Sequence, residues 1–183
     1  MDYREFYDLE KYLLTTVHDR FHDQGYLSAF DFFCIVIWKA NRAKSKVAKR
    51  LLAKSPGNIE SAVHELTVDI FQAPSAKEKL NCLFIKWGFY IPMASAILTI
   101  LYPDQFTIYD IRVCDSLSSF HNLANISDFE RLWNEYSRFK QAVIEKDPKE
   151  YSLRDKDRYL WGMSFAKQLE RDLQDYEKSL HLD

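Results

Sequence analysis

Glycine and proline are scarce, four and five in 183 residues. So few turn formers exclude a β-sandwich or barrel, whose short strands need frequent turns, and they favour helices. Cysteine is also sparse. Cys34, Cys82 and Cys114 are odd in number and widely spaced, with no CxxC or Cys/His pattern, so a structural zinc site is not expected. Their apolar neighbours mark them as buried free thiols. Long apolar runs are missing. The best candidate, residues 29–38, is broken by Asp31 and falls short of a membrane span. The first residues, Met1-Asp2-Tyr3-Arg4-Glu5, lack the basic and apolar regions of a signal peptide. A reducing cytoplasm is therefore the expected setting, with no membrane partner. An excess of either charge is absent too, since the formal net charge is −2. That value does not by itself announce a nucleic-acid binder. No P-loop, dinucleotide fingerprint or nucleophile elbow occurs, and no cofactor is expected.

What is present is apolar mass. Hydrophobic residues make up 47% of the chain and aromatics 15%. The length suits one all-α domain spanning 1–183. Phe6, Leu9, Leu13, Leu14 and Val17 recur at helical spacing, and Gln24-Gly25 reads as a turn. Ser28 caps a helix over 29–39 that is apolar on nearly all sides and belongs at the centre of the core. A basic helix over 43–54 ends at Ser55-Pro56-Gly57-Asn58, and another covers 59–72. Ser75 with Glu78 forms a capping box for a helix carrying Leu80, Leu83, Phe84 and Trp87. A very apolar helix follows over 93–101, then a brief extended stretch over 106–109, and a helix from Asp110 to about Phe120. Ser127 with Glu130 reads as a second capping box, opening a long helix to about Glu145. Pro148 breaks it, and a last helix covers 153–180.

Two features carry chemical information. From Lys39 to Lys54 there are seven Lys/Arg and no acid. Such a cluster suits a polyanion, although a solvated helix face has the same composition. The second feature is the segment 87–117. Gly88 suits the left-handed end of one helix and Pro92 the first turn of the next. Ala94, Ser95 and Ala96 let backbones approach closely. The start of that helix offers free N–H groups, a natural phosphate site.

This segment resembles the helix-hairpin-helix DNA glycosylase superfamily. The hairpin corresponds to Gly88-Phe89-Tyr90-Ile91-Pro92-Met93 and the small-residue helix to Ala94-Ser95-Ala96-Ile97-Leu98-Thr99. The Pro-containing loop corresponds to Tyr102-Pro103-Asp104-Gln105-Phe106. The family's catalytic Asp corresponds to Asp110 in Ile108-Tyr109-Asp110-Ile111-Arg112-Val113, about 20 residues beyond the hairpin. The match covers about 30 residues, a core near 75–120. It departs from the family at the hairpin, where Phe89-Tyr90-Ile91-Pro92 replaces the usual paired glycines. It departs again just after, where Met93-Ala94-Ser95 carries no lysine and so disfavours a Schiff-base lyase. The strings Trp38-Lys39-Ala40-Asn41-Arg42 and Leu153-Arg154-Asp155-Lys156-Asp157-Arg158-Tyr159-Leu160-Trp161-Gly162 resemble uncharacterised bacterial proteins with the same core.

The resemblance implies a monofunctional DNA glycosylase-like protein acting on a duplex with a damaged or modified base. Asp110 would stabilise the sugar cation as the N-glycosidic bond breaks. Trp38, Tyr109, Arg112 and Trp161 would wall a pocket for the flipped base. Tyr90, Ile91 and Met93 of the hairpin, with Lys39, Arg42, Lys44, Lys46, Lys49 and Arg50, would contact the DNA backbone. Each residue has a plainer role as well. Asp110 suits a helix cap, the tryptophans suit a core or interface, and Arg112 and Arg154 suit partners for Asp110, Asp155 or Asp157. His18 and His22 share a helix face but lack a metalloprotease glutamate and read as surface residues. His64, His121 and His181 have no ligand spacing. Two alternatives therefore stand beside the enzyme. One is a non-catalytic nucleic-acid-binding domain; the other is a helical module that binds a protein partner in a bacterial or phage defence setting.

Overall fold

The structure, a computed structural model, describes residues 2–180, with side chains described as far as residue 176. Met1 and residues 181–183 lie outside the described residues, His181 among them. The expected all-α architecture is observed: among the described residues there is no strand. None of the described helices is long and apolar enough to cross a membrane.

A 3₁₀ turn, Tyr3–Phe6, leads into α1 (Leu9–Tyr12), a π segment (Leu13–Val17) and α2 (His18–Gln24), one nearly continuous helical run. Gly25 ends it at φ 78°, a left-handed turn that glycine adopts without a Cβ clash. Ser28 caps α3 (Ala29–Ala40) by accepting the Asp31 N–H at 3.1 Å. A 3₁₀ turn, Asn41–Ala43, joins α3 to the basic α4 (Lys44–Lys54). Asn58 caps α5 (Ile59–Gln72). Ser75 caps α6 (Ala76–Asn81) by accepting the Glu78 N–H at 3.2 Å, and its hydroxyl donates to the Glu78 carboxylate at 2.8 Å, a bond from the hydroxyl rather than from the Ser75 N–H of a capping box. A π segment, Cys82–Lys86, carries the chain to the hairpin. Then come α7 (Ile91–Leu101), α8 (Ile111–Leu117), α9 (Phe129–Glu145) and α10 (Leu153–Leu180).

Three expectations need correction. The central helix is α7, not α3. Ile91 and every residue from 94 to 101 are buried, whereas Phe30 and Ile37 leave α3 with a solvent-facing side. Ser95 and Thr99 are tolerated at this depth because each hydroxyl bonds to backbone groups. The cap of α9 is Asp128, which accepts the Arg131 N–H at 2.8 Å; Glu130 pairs instead with Lys77 on α6, at 2.7 Å. Asp outcompetes the neighbouring Ser as an acceptor because it is charged. Finally, α8 stops at Leu117 rather than near Phe120, since Ser118 turns left-handed at φ 53°.

The core runs from Tyr12, Leu13 and Phe21 through α3, α5 and α7 to Tyr136, Phe139 and Val143 of α9. All three cysteines are free, Cys34 and Cys114 fully within it. Burial pushes their thiols up, Cys34 and Cys114 to about 11 and Cys82 to about 12, so none is poised as a thiolate. Among the described residues no group of three or more His, Cys, Asp or Glu is placed to hold a metal ion, and the His18 and His22 rings each bond to a backbone carbonyl, of Ile100 and Leu101.

Candidate active-site cleft

The site is built on the extended segment after α7. Phe106, Thr107, Ile108 and Tyr109 are buried without a ladder partner, so their backbone groups need side chains. Three helices supply them. Tyr136 of α9 accepts the Thr107 N–H at 3.1 Å and donates to the Thr107 carbonyl at 2.7 Å. Asp157 of α10 accepts the Ile108 N–H at 3.1 Å. Ser95 of α7 accepts the Tyr109 N–H at 2.9 Å. This three-point clamp fixes where the next residue, Asp110, can go.

Asp110 is the N-cap of α8. Its Oδ1 accepts the Arg112 N–H at 3.1 Å, the cap role its sequence position suggested. Its Oδ2 is directed elsewhere, to Lys39 Nζ at 2.6 Å. Lys39 comes from the end of α3, 71 residues away in the chain. Burial acts to raise the Asp110 carboxyl, but the Lys39 ammonium, its hydrogen bond and the Arg112 N–H outweigh it. The carboxyl is held below the ordinary carboxylate range and is ionised at neutral pH.

Both residues line an open cleft of about 460 Å³. Trp38 and Trp161 supply aromatic surface on it, and Ile108 adds an apolar patch. A second set of charges completes the lining. Arg154 bridges Glu10 of α1 and the buried Asp157, the latter at 2.7 Å, and its guanidinium also lies 5.3 Å from the Trp38 ring centroid. Arg158 reaches Glu10 at 3.1 Å and Asp155 at 2.9 Å. Burial pushes the Asp157 carboxyl up, against the pull of Arg154 and the Ile108 N–H. The lining thus holds three cations, Lys39, Arg154 and Arg158, and three carboxylates, Glu10, Asp110 and Asp157, with every one of the six in an ion pair. A cleft so balanced offers little to a free anion. Its aromatic and apolar surface, on Trp38, Ile108 and Trp161, suits a flat, mostly neutral group.

Trp38, Lys39, Asp110 and Trp161, chosen from sequence, meet in this cleft. Tyr109 does not join them. It is buried against Phe139 and its hydroxyl donates to the Phe120 and His121 carbonyls, at 2.9 and 3.1 Å. Its side chain must point opposite to that of Asp110 because the segment is extended, and adjacent side chains then alternate. Arg112 also lies outside the lining; it stacks on Trp161 and Phe165 at 5.3 and 5.4 Å.

The backbone-contact candidates sit to one side. Arg42, Lys44, Lys46 and Lys49 are exposed, and among the described residues none of them pairs with a carboxylate. Arg50 turns the other way. It donates to the Gly88 carbonyl and lies over the Phe89 and Tyr90 rings at 5.5 and 5.4 Å, tying α4 to the hairpin. In the hairpin Gly88 is left-handed at φ 71°, Tyr90 is exposed, Met93 half-buried and Ile91 buried. Pro92 has no N–H, and the Met93 N–H is used on the Tyr90 carbonyl at 3.1 Å. The cations between Lys39 in the cleft and Arg50 at the hairpin are thus spread over the end of α3, the Asn41–Ala43 turn and α4.

Glu10, Ile108, Arg154, Asp157 and Arg158 were not chosen from sequence as site residues. Only the Arg154–Asp157 spacing, three apart on a helix, carried a signal, as an ion pair. Comparison with known proteins matched no family model, no curated protein and no solved structure.

Proposed function

We propose that the cleft accepts an everted base of a DNA strand and that the protein is a monofunctional glycosylase-like enzyme. One observation carries this reading: an ionised carboxylate at the start of α8 opens into the same cleft as two tryptophans. Cleaving an N-glycosidic bond builds one positive charge on the sugar. Asp110 already holds one positive charge, the Lys39 ammonium, in a low-dielectric site. The sugar cation would take that place beside Oδ2 while Oδ1 stays fixed by the Arg112 N–H. Trp38 and Trp161 would stack on the extruded base, offsetting the cost of unstacking it. The exposed cations of α4 would hold the flanking phosphates.

The test is base release from single- and double-stranded oligonucleotides carrying a panel of modified bases, followed by strand scission at abasic sites. Release of at least one base is expected, falling about 100-fold or more in Asp110→Asn. No release from any substrate, or equal release by the variant, contradicts the reading. The Lys39–Asp110 pair favours one other reading, nucleic-acid binding without chemistry, because the lysine occupies the carboxylate. That reading predicts salt-dependent DNA binding that survives Asp110→Asn with no abasic product.

A further inference from the structure

Among the described side chains of α10 the last buried one is Ser164; from 165 to 176 every residue is exposed or half-exposed. A helix that leaves the body of the protein should turn polar all round. This one does not. Trp161, Phe165, Leu169 and Leu173 stand four residues apart and are 42%, 45%, 45% and 52% exposed. At 1.5 Å per residue they make an apolar stripe about 18 Å long. Trp161 and Phe165 stack with ring planes 9° apart, and the Arg112 guanidinium lies over both rings, so the freely exposed part of the stripe is Leu169 and Leu173.

The charges around the stripe are sorted. On a helix of 3.6 residues per turn, Asp172 flanks one edge of the stripe and Glu170 the other, while Lys167 and Arg171 fall on the opposite face. Gln168 donates to Asp172 at 2.7 Å and accepts from Arg171 at 3.4 Å, and Arg171 also donates to the Lys167 carbonyl at 3.1 Å. Pairing with α10 of a second copy would set acidic edges against acidic edges, in either direction, which is unfavourable along a helix seam. An α4 surface of another copy does not fit either, because Val47 and Leu51 are buried in its own core and only Leu52 among its large apolar side chains is exposed, too little for a seam.

From this sorting we infer that the exposed half of α10 is a docking surface for a partner protein's amphipathic helix, one whose apolar face is bordered by Lys or Arg. The contact is a helix-to-helix seam with Leu169 and Leu173 at its centre and Glu170 and Asp172 selecting the partner's charge. Its centre, Leu169 and Leu173, lies outside the cleft, which shares only Trp161 with the stripe.

The experiment uses the full chain and two labelled peptides of about 20 residues, enough to span the stripe. Both have the same leucine seam; one is bordered by Lys/Arg, the other by Glu. Fluorescence anisotropy measures binding at low and high salt, and sedimentation velocity measures the chain alone. The basic peptide should bind about tenfold tighter than the acidic one, with the preference shrinking in salt. Leu169→Glu with Leu173→Glu should abolish binding while helicity and Tm stay unchanged. Glu170→Lys with Asp172→Lys, which keeps the apolar stripe, should reverse the preference. Equal affinity for the two peptides, no binding of the basic one, or a dimer of the chain that Leu169→Glu with Leu173→Glu dissolves would each overturn the inference.

Discussion

Replacing Lys39 by Met tests the pair that organises the cleft. The change keeps the length of the side chain and removes its charge. Lys39 and Asp110 are 14% and 25% exposed in their side chains, and Nζ and Oδ2 are 2.6 Å apart. With an effective dielectric of about 20, their attraction is about 6 kcal/mol, and desolvation of the two ions offsets most of it. Deleting one partner leaves Asp110 charged and partly buried, with only the Arg112 N–H. The expected loss is about 2 kcal/mol at pH 7, between a surface pair and a fully buried one. The pH dependence follows from the shift. Asp110 is depressed in the wild type, so its stabilisation is present above the ordinary carboxylate range and lost as pH falls through its lowered value. Without Lys39, burial dominates and the carboxyl rises, so the variant's penalty is relieved on acidification. Urea melts of wild type, Lys39→Met, Asp110→Asn and the double variant, from pH 7 down toward pH 4, give the coupling. A coupling near 2 kcal/mol at pH 7 that shrinks with acid is expected. A coupling below about 0.5 kcal/mol, or one independent of pH, refutes the reasoning.

Arg154→Met should cost more, about 3–5 kcal/mol by chemical denaturation, because it strands the buried Asp157, while Glu10 keeps Arg158. Gly25→Ala should destabilise by at least about 1 kcal/mol, since a Cβ there meets Phe71 at 3.2 Å on a backbone with φ 78°; Gly88→Ala has open space around it and should cost less in a parallel thermal melt. Lys44→Glu with Lys46→Glu should leave Tm unchanged within about 0.5 kcal/mol of stability, both being exposed and unpaired. The same change should weaken oligonucleotide binding and flatten its salt dependence, measured by anisotropy across a salt series.

The helices were legible where local rules act alone. Ser28 and Ser75 cap as their positions suggest, and the breaks at Gly25 and Gly88 fall where left-handed backbone is needed. Local rules failed where two adjacent residues competed, as at Ser127 and Asp128, and where burial depends on the whole assembly, as for α3 against α7. The site was half legible. Asp110, Trp38, Lys39 and Trp161 do meet. What the sequence could not carry is the pairing, because Lys39 reaches Asp110 across 71 positions and Arg154 reaches Glu10 across 144. Spacing rules see only neighbours along one helix. Tyr109 was misplaced because the alternation of an extended segment turns it away from its neighbour's cleft. The tyrosine, aspartate and serine that clamp residues 107–109 gave no signal, since each comes from a different helix.

The most direct test of the central claim compares two abasic-site analogues in otherwise identical DNA, a cationic pyrrolidine and a neutral tetrahydrofuran. A carboxylate placed to hold a sugar cation binds the charged analogue more tightly, by about tenfold or more, and Asp110→Asn erases the difference. Equal affinity for the two analogues, or a preference that persists in Asp110→Asn, would contradict the account.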